Sequence, residues 1–212
     1  MKSTLIITAV FVLMLPPLAG ALGQEQYPAY KIALGAENRC AFAVKTNLLL
    51  LGIDAIANAG GELFLPAIRG RYFSIDVSFI YSPYMVARNW KFRALAVQPE
   101  LRWWIRKKQP AGGHFLGVHA HVAWYNVSTN RSSYYQDRDG RTPLWGAGVS
   151  YGYAVAVPGW DRCSMEFTLG AGYARLDYDV FYNVPNGAKY AGAAKNYWGL
   201  TRAGLSFSYY FK

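Results

Sequence analysis

The last stretch of the chain constrains its fold most. From Leu205 to Phe211 the residues alternate, with Leu205, Phe207, Tyr209 and Phe211 on one side and Ser206, Ser208 and Tyr210 on the other. A period of two in an aromatic-rich run is a β-strand with one apolar face. Such a strand needs partners, and the same period recurs along the chain. Phe42, Val44, Thr46, Leu48 and Leu50 oppose Ala43, Lys45 and Asn47, while Phe73, Ile75, Val77, Phe79 and Tyr81 oppose Ser74, Asp76 and Ser78. Further strands are expected at 59–65, 90–105, 114–125, 144–157 and 163–177, with the last one beginning at Tyr197. Pro99 falls inside the fourth strand, where it costs a ladder hydrogen bond. One face of the sixth strand is glycine, alanine and serine throughout, so bulky groups from elsewhere must project into that space. The count is about eight, an even number.

Composition separates a secreted β-sandwich from a membrane-spanning barrel. Aromatics make up 17% of the 212 residues, including 17 Tyr and 7 Trp, yet mean hydropathy is only +0.04. A barrel with a polar lumen, in which only alternate residues meet lipid, satisfies both numbers. At the N-terminus Lys2 precedes an apolar run from Leu5 to Leu15, then Pro16, Pro17 and the small residues Ala19-Gly20-Ala21. That order is a secretory signal peptide over residues 1–21. No cysteine stands directly after the cleavage site, where Leu22 falls, which argues against a lipoprotein. Residues 22–39 read as a periplasmic lead-in and 40–212 as the barrel. The formal charge of +10 becomes about +9 once the leader is removed. A solvated basic surface or attraction to anionic headgroups accounts for it, and no motif points to nucleic acid.

The fold class expected is therefore all-β: an eight-stranded antiparallel up-and-down transmembrane β-barrel after an N-terminal signal peptide, located in the bacterial outer membrane. The connections 82–89, 126–143 and 178–196 are long and polar, whereas those at 66–70, 107–113 and 158–162 are tight. Short periplasmic turns and long outer loops set the orientation. Trp90, Trp124, Trp145 and Trp198 then fall near the outer rim, and Trp103, Trp104 and Trp160 near the inner one, as two interfacial belts. Arg202, Gly204, Phe207, Tyr209 and Phe211 resemble the C-terminal signal by which outer-membrane barrels reach their assembly machinery. Outer-membrane lipid and that machinery are the first partners expected.

The stretches Val44-Lys45-Thr46-Asn47-Leu48-Leu49, Val97-Gln98-Pro99-Glu100-Leu101-Arg102-Trp103-Trp104, Gly113-His114-Phe115-Leu116-Gly117-Val118-His119, Gly146-Ala147-Gly148-Val149-Ser150-Tyr151-Gly152-Tyr153 and Gly172-Tyr173-Ala174-Arg175 resemble a bacterial family catalogued as domain of unknown function 3575. The resemblance covers nearly the whole mature chain. It implies a small outer-membrane barrel, some members being encoded beside surface-fimbria components, and no established activity. Pro99 belongs to the pattern, which implies a bulge or kink there.

The inward positions Lys45, Asp76, Glu100, Arg102, Glu166 and Arg202 place three acids and three bases in the lumen, with His119 and His121 on the same face. A salt-bridge network that plugs the barrel is the primary expectation, with Arg202 facing Glu166 or the neighbourhood of Lys45. A narrow channel for small solutes or protons is the alternative. An outer-leaflet lipid-modifying enzyme is a further one, disfavoured because catalysis needs a base beside a nucleophile. The three histidines, His114, His119 and His121, all sit on the fifth strand, and Ser132 and Ser133 in the long loop have no histidine nearby. No third ligand accompanies the histidines to make a metal site, and no cofactor is expected. Cys40 and Cys163 are the only cysteines, in an oxidising compartment. Both are expected at the periplasmic rim on strands separated by a third, so a bridge requires Cys40 to reach across from the lead-in. Tyr134, Tyr135, Phe181, Tyr182 and Tyr190 with several arginines give the outer loops a composition suited to a surface protein partner, for which the family resemblance suggests fimbria or cell-envelope components.

Overall fold

A computed structural model of the chain describes residues 41–52, 56–83, 85–87, 90–105, 112–128, 132–160 and 162–211. The expected signal peptide and lead-in lie outside these residues, as does Cys40. Ten strands and one helical turn follow in order: β1 (Ala41–Asn47), α1 (Leu48–Gly52), β2 (Ala57–Phe64), β3 (Tyr72–Ser82), β4 (Met85–Ala87), β5 (Trp90–Trp104), β6 (Gly113–Val127), β7 (Ser133–Asp137), β8 (Leu144–Ala156), β9 (Cys163–Tyr182) and β10 (Lys189–Phe211). Every pairing is antiparallel. β1, β2, β3, β5, β6, β8, β9 and β10 pair in that order, and β10 returns to β1, so eight strands close into a ring. Closure leaves those strands without free edges over their paired lengths. β4 pairs with β5, and β7 bridges β6 and β9 above the ring.

The end of the ring holding the start of β1 and the end of β10 is called lower here. Its β2–β3 connection is tight: Arg69 and Gly70 both take positive φ, 51° and 72°, the left-handed pair that a sharp reversal demands.

Four expectations change. The first strand stops at Asn47 rather than continuing to Leu50, because the Asn47 Oδ1 accepts the Leu49 N–H at 3.1 Å and caps a helical turn. Leu48 and Leu50 thus lie on α1. The stretch 178–196, expected as a long loop, is mostly the two arms of a hairpin: β9 runs to Tyr182 and β10 begins at Lys189. The loop at 126–143 contains β7, which gives the upper part of β9 a second neighbour through Ser133↔Tyr182 to Asp137↔Tyr178. Finally, Pro99 makes no bulge. Val97↔Val122 and Glu100↔His119 keep one register across it, and only the ladder contacts of Gln98 and Pro99 to β6 are missing. The register shift occurs instead in β10, between Leu200 and Arg202.

The ring is inverted in polarity. Outward residues such as Val118 and Val149 are 61% and 63% exposed, while Arg102, Glu62 and Asp76 inside are 0% exposed. At the lower end the interior holds an apolar floor of Ala43, Phe64, Trp104, Phe115, Ala154 and Tyr210. The Trp104 and Phe115 rings lie 4.9 Å apart, and Phe64 bridges Trp104 to Tyr210 at 5.9 and 5.8 Å. Trp104 Nε1 donates to Ser74 Oγ at 2.8 Å, and Tyr210 and Ser164 share a hydrogen bond at 2.9 Å, so the floor buries no unpaired polar handle there. Trp104 therefore belongs to the interior, not to an outer belt. Trp103, one residue earlier on the pleat, faces out.

Candidate functional site

Above the floor, the strand period aims seven acidic and basic side chains at one another. Lys45 comes from β1, Glu62 from β2, Asp76 from β3, Glu100 and Arg102 from β5, Glu166 from β9 and Arg202 from β10. Arg102 is the hub. Its Nε donates to Glu100 at 2.5 Å, Nη1 to Glu62 at 3.2 Å and to Glu166 at 3.0 Å, and Nη2 lies 3.3 Å from Asp76. Its guanidinium also stacks over the Phe115 ring at 4.4 Å, which ties the charges to the apolar floor. Lys45 Nζ donates to Glu166 at 2.6 Å, pairs closely with Glu62 and lies 3.6 Å from Asp76. Ser74 and Ser150 donate to Glu62 and Glu100, and Thr168 to Glu166 at 3.0 Å.

Sequence reasoning brought Lys45, Asp76, Glu100, Arg102, Glu166 and Arg202 to one face, and the ring gathers all six. It missed Glu62, since Gly60 and Gly61 obscure the alternation of β2. The one usable signal was the register, which sets Glu62 opposite Asp76. The network thus has four carboxylates and three bases. Arg202 does not face Glu166: its Nη2 lies 2.8 Å from Asp76 and 3.3 Å from Glu100, and its Nη1 donates to Gln98 at 2.9 Å. The register shift at Leu200/Arg202 explains the reach, because a bulge re-aims the residues beside it. Lys45 and Arg102 already occupy Glu166.

His119 and His121 lie inside the ring, their rings 5.9 Å apart. His119 Nε2 shares a 2.9 Å hydrogen bond with Thr201 Oγ1. They fill the room left by the small face of β8: a Cβ at Gly146 would meet His121 Nε2 at 2.5 Å, and one at Gly148 would meet His119 Cε1 at 2.9 Å. Phe115 occupies the corresponding space at Gly152. His114 instead faces outward and contacts the Tyr151 hydroxyl at 2.5 Å. Among the described residues no group of three or more His, Cys, Asp or Glu is arranged to hold a metal ion. Cys163 is a buried free thiol. β10 stands between β9 and β1, and Cys163 faces Tyr209 across that pairing.

Above the network the interior widens into a recess, whose lining includes Asn47, Asn58, Ser78, Gln98 and Thr201, with Lys45, Arg102, Glu166 and Arg202 toward the floor. Higher still, β7 and the upper arms of β9 and β10 form a small sheet. Its aromatics stack in pairs, Tyr134 on Phe181 at 4.9 Å and 4°, and Tyr182 with Tyr190 at 4.5 Å. Asp179 accepts the Asp139 N–H at 3.0 Å and the Lys189 ammonium at 2.8 Å. These two donors hold its carboxyl below the usual carboxylate range, and the same pair holds Lys189 above its ordinary value. Burial pushes the neighbouring Asp137 up.

A family model described as "Protein of unknown function (DUF3575)" matches residues 23–211. The chain belongs to that family. No curated protein and no solved structure matches it.

Proposed function

We propose that the chain is a small bacterial outer-membrane β-barrel without catalytic activity, its lumen plugged by the charge network above an aromatic floor and its outer sheet available to a surface partner. The observation that carries this reading is the inverted polarity of a closed ring. Leu101, Leu116, Val118, Val149, Tyr151 and Leu169 are exposed around the wall while four carboxylates, Lys45 and Arg102 are buried inside it and Arg202 is half-buried beside them. In water each of those large side chains forgoes about 1.5–3 kcal/mol of burial, and a continuous apolar band far exceeds what monomeric soluble proteins expose. In lipid the same band is the favourable surface, and ring closure satisfies the backbone. Trp124, Trp145 and Trp198 toward one end, and Trp103 and Trp160 toward the other, suit the two interfaces.

Arg102, Lys45 and Arg202 tie together six of the eight ring strands, β1, β2, β3, β5, β9 and β10, above a floor of packed rings. That arrangement favours a plug over the channel alternative. Purified protein folded into planar bilayers is expected to be electrically silent, and stable conductance steps would sink the plugged-lumen reading. For the partner, the stacked aromatics of β7, β9 and β10 are the surface of interest. Deleting residues 128–140 is expected to abolish retention of a co-purifying surface protein while the ring still folds; undiminished retention would remove the outer sheet from consideration.

A further inference from the structure

We propose that the outward faces of β8, β9 and β10, at the upper edge of the apolar band, form a docking site for one anionic phospholipid, its phosphate against Arg175 and Arg138 and an alkyl chain lying below them. This rests on the membrane reading above. Register lays the site out in rows, because directly paired residues share a face of the sheet. Val149, Ala171 and Leu200 form the lowest row, and Ala147, Tyr173 and Trp198 the next. Trp145, Arg175 and Asn196 follow. Asp177 and Ala194 stand above them, and Arg138 is brought alongside by its backbone N–H, which donates to the Asp177 carbonyl at 3.1 Å. The outer face thus passes from aliphatic to aromatic to cationic within about 20 Å of strand.

The small side chains matter as much as the large ones. Ala171 lies between the exposed Val149 and Leu200, and Ala147 lies beneath Trp145, so the outer face dips at both alanines. An alkyl chain seated there meets apolar groups on either side. The Tyr173 and Trp198 rings, 5.0 Å apart, close the upper end of the dip, and Trp198 is 77% exposed, an aromatic at the level where chain gives way to headgroup. Directly above, one carboxylate faces two guanidiniums. Arg175 Nε donates to Asp177 Oδ2 at 3.3 Å, and Arg138 Nη1 lies 3.8 Å from Asp177 Oδ1. Asn196 Oδ1 accepts the Arg175 Nη1–H at 3.1 Å and the Tyr173 hydroxyl at 3.0 Å, while Arg138 Nη2 donates to the Ala193 carbonyl at 3.2 Å. Asp179 and Asp139, further out, meet Lys189 at 2.8 and 3.6 Å. These bonds hold both arginines in place, and among the described residues they leave N–H donors on each guanidinium unused. Two cations to one anion, side by side and still about two-fifths exposed, complement a phosphate, whose oxygens guanidinium forks match.

Native mass spectrometry of the full mature chain, folded and held in dodecyl maltoside micelles, tests this with dimyristoylphosphatidylglycerol as the probe and dimyristoylphosphatidylcholine as its zwitterionic counterpart. The expected result is one phosphatidylglycerol retained per chain, preferred over phosphatidylcholine by about tenfold or more, equivalent to about 1.4 kcal/mol. Arg175→Gln and Arg138→Gln each lower that preference by about fivefold; should one of them fail to fold, the other carries the test. Arg93→Gln, which removes an exposed arginine elsewhere on the wall, on β5 opposite Asn126, leaves it unchanged. Equal retention of the two lipids overturns the proposal, and so does an equal loss in Arg93→Gln, which would assign the preference to diffuse surface charge. Millimolar inorganic phosphate at matched ionic strength is expected to leave the lipid bound; displacement would mark a site for the free anion and overturn the lipid assignment. Vesicle insertion, read as a heat-modifiable gel shift, is scored in the same preparations. A chain that does not insert defeats the membrane reading and this proposal with it, whereas a chain that inserts and retains no probe defeats this proposal alone.

Discussion

Arg102 shows how much one residue can hold together in a narrow interior. It meets Glu62, Asp76, Glu100 and Glu166 and covers the Phe115 ring. Removing it leaves four carboxylates facing only Lys45 and Arg202, and breaking a buried network in this way typically costs about 3–5 kcal/mol. Arg102→Met is therefore expected to lower the urea midpoint of the vesicle-folded protein sharply, and adding Glu100→Gln should recover part of the loss. An unchanged midpoint in the single variant would show that the network is not what braces the ring. Outside the ring Asp179 gives a pH-dependent counterpart. Its carboxyl is depressed by the Asp139 N–H and by Lys189, so its contribution is complete above the ordinary carboxylate value of about 4 and is lost as pH falls through the lower folded value. Lys189 is raised, so its share persists until pH climbs past its own elevated value. Protection of the Asp139 amide against hydrogen exchange, taken relative to its intrinsic rate at each pH, should fall only in acid, and Asp179→Asn should make it low at every pH; an acid-dependent loss of protection surviving in that variant would assign it to another group.

At the scale of elements, the eight ring strands were legible because their outward and inward rows differ sharply in polarity, as in Phe73 to Tyr81 of β3. The upper arms of β9 and β10 were not. Ala191, Gly192, Ala193, Ala194, Lys195 and Asn196 carry weak strand propensity, and they are strand here because Ala191 to Asn196 pair with β9 from Val180 to Arg175, a long-range fact. Glu62 escaped for a related reason, two glycines hiding the period of β2. Trp104 was placed at the correct end but on the wrong face, since a Trp-Trp pair in a strand must split between the two sides. The C-terminal strand closes the ring: β10 pairs with β1 from Phe211↔Phe42 to Ser206↔Asn47, and Phe207 meets Trp160 edge-on at 6.0 Å. Replacing Phe207 and Tyr209 with serine should abolish outer-membrane assembly, whereas Arg202→Ala should assemble normally and fold less stably. Normal heat-modifiable folding of the double serine variant would contradict this. Asn47→Ala, which leaves the Ala203 carbonyl and Leu205 N–H of β10 without their side-chain partner, should destabilise the seam by about 1–3 kcal/mol, measurable as a lower urea midpoint.

For the molecule as a whole, the account rests on which face of the wall meets lipid. Under the proposed function the charge network and the aromatic floor gain their meaning from that orientation, because a ring built for water outside would have its polar and apolar faces reversed. The most direct test places nitroxide labels one at a time at Val118, Val149 and Leu101 on the outer row, and at Ser78 on the recess, in protein folded into phospholipid vesicles. Collision rates with oxygen and with a water-soluble nickel chelate are then compared. The account predicts that the three outer sites collide freely with oxygen and are shielded from the chelate, while Ser78 is not oxygen-rich. Chelate access at Val118, Val149 and Leu101 matching that of a loop site would contradict it.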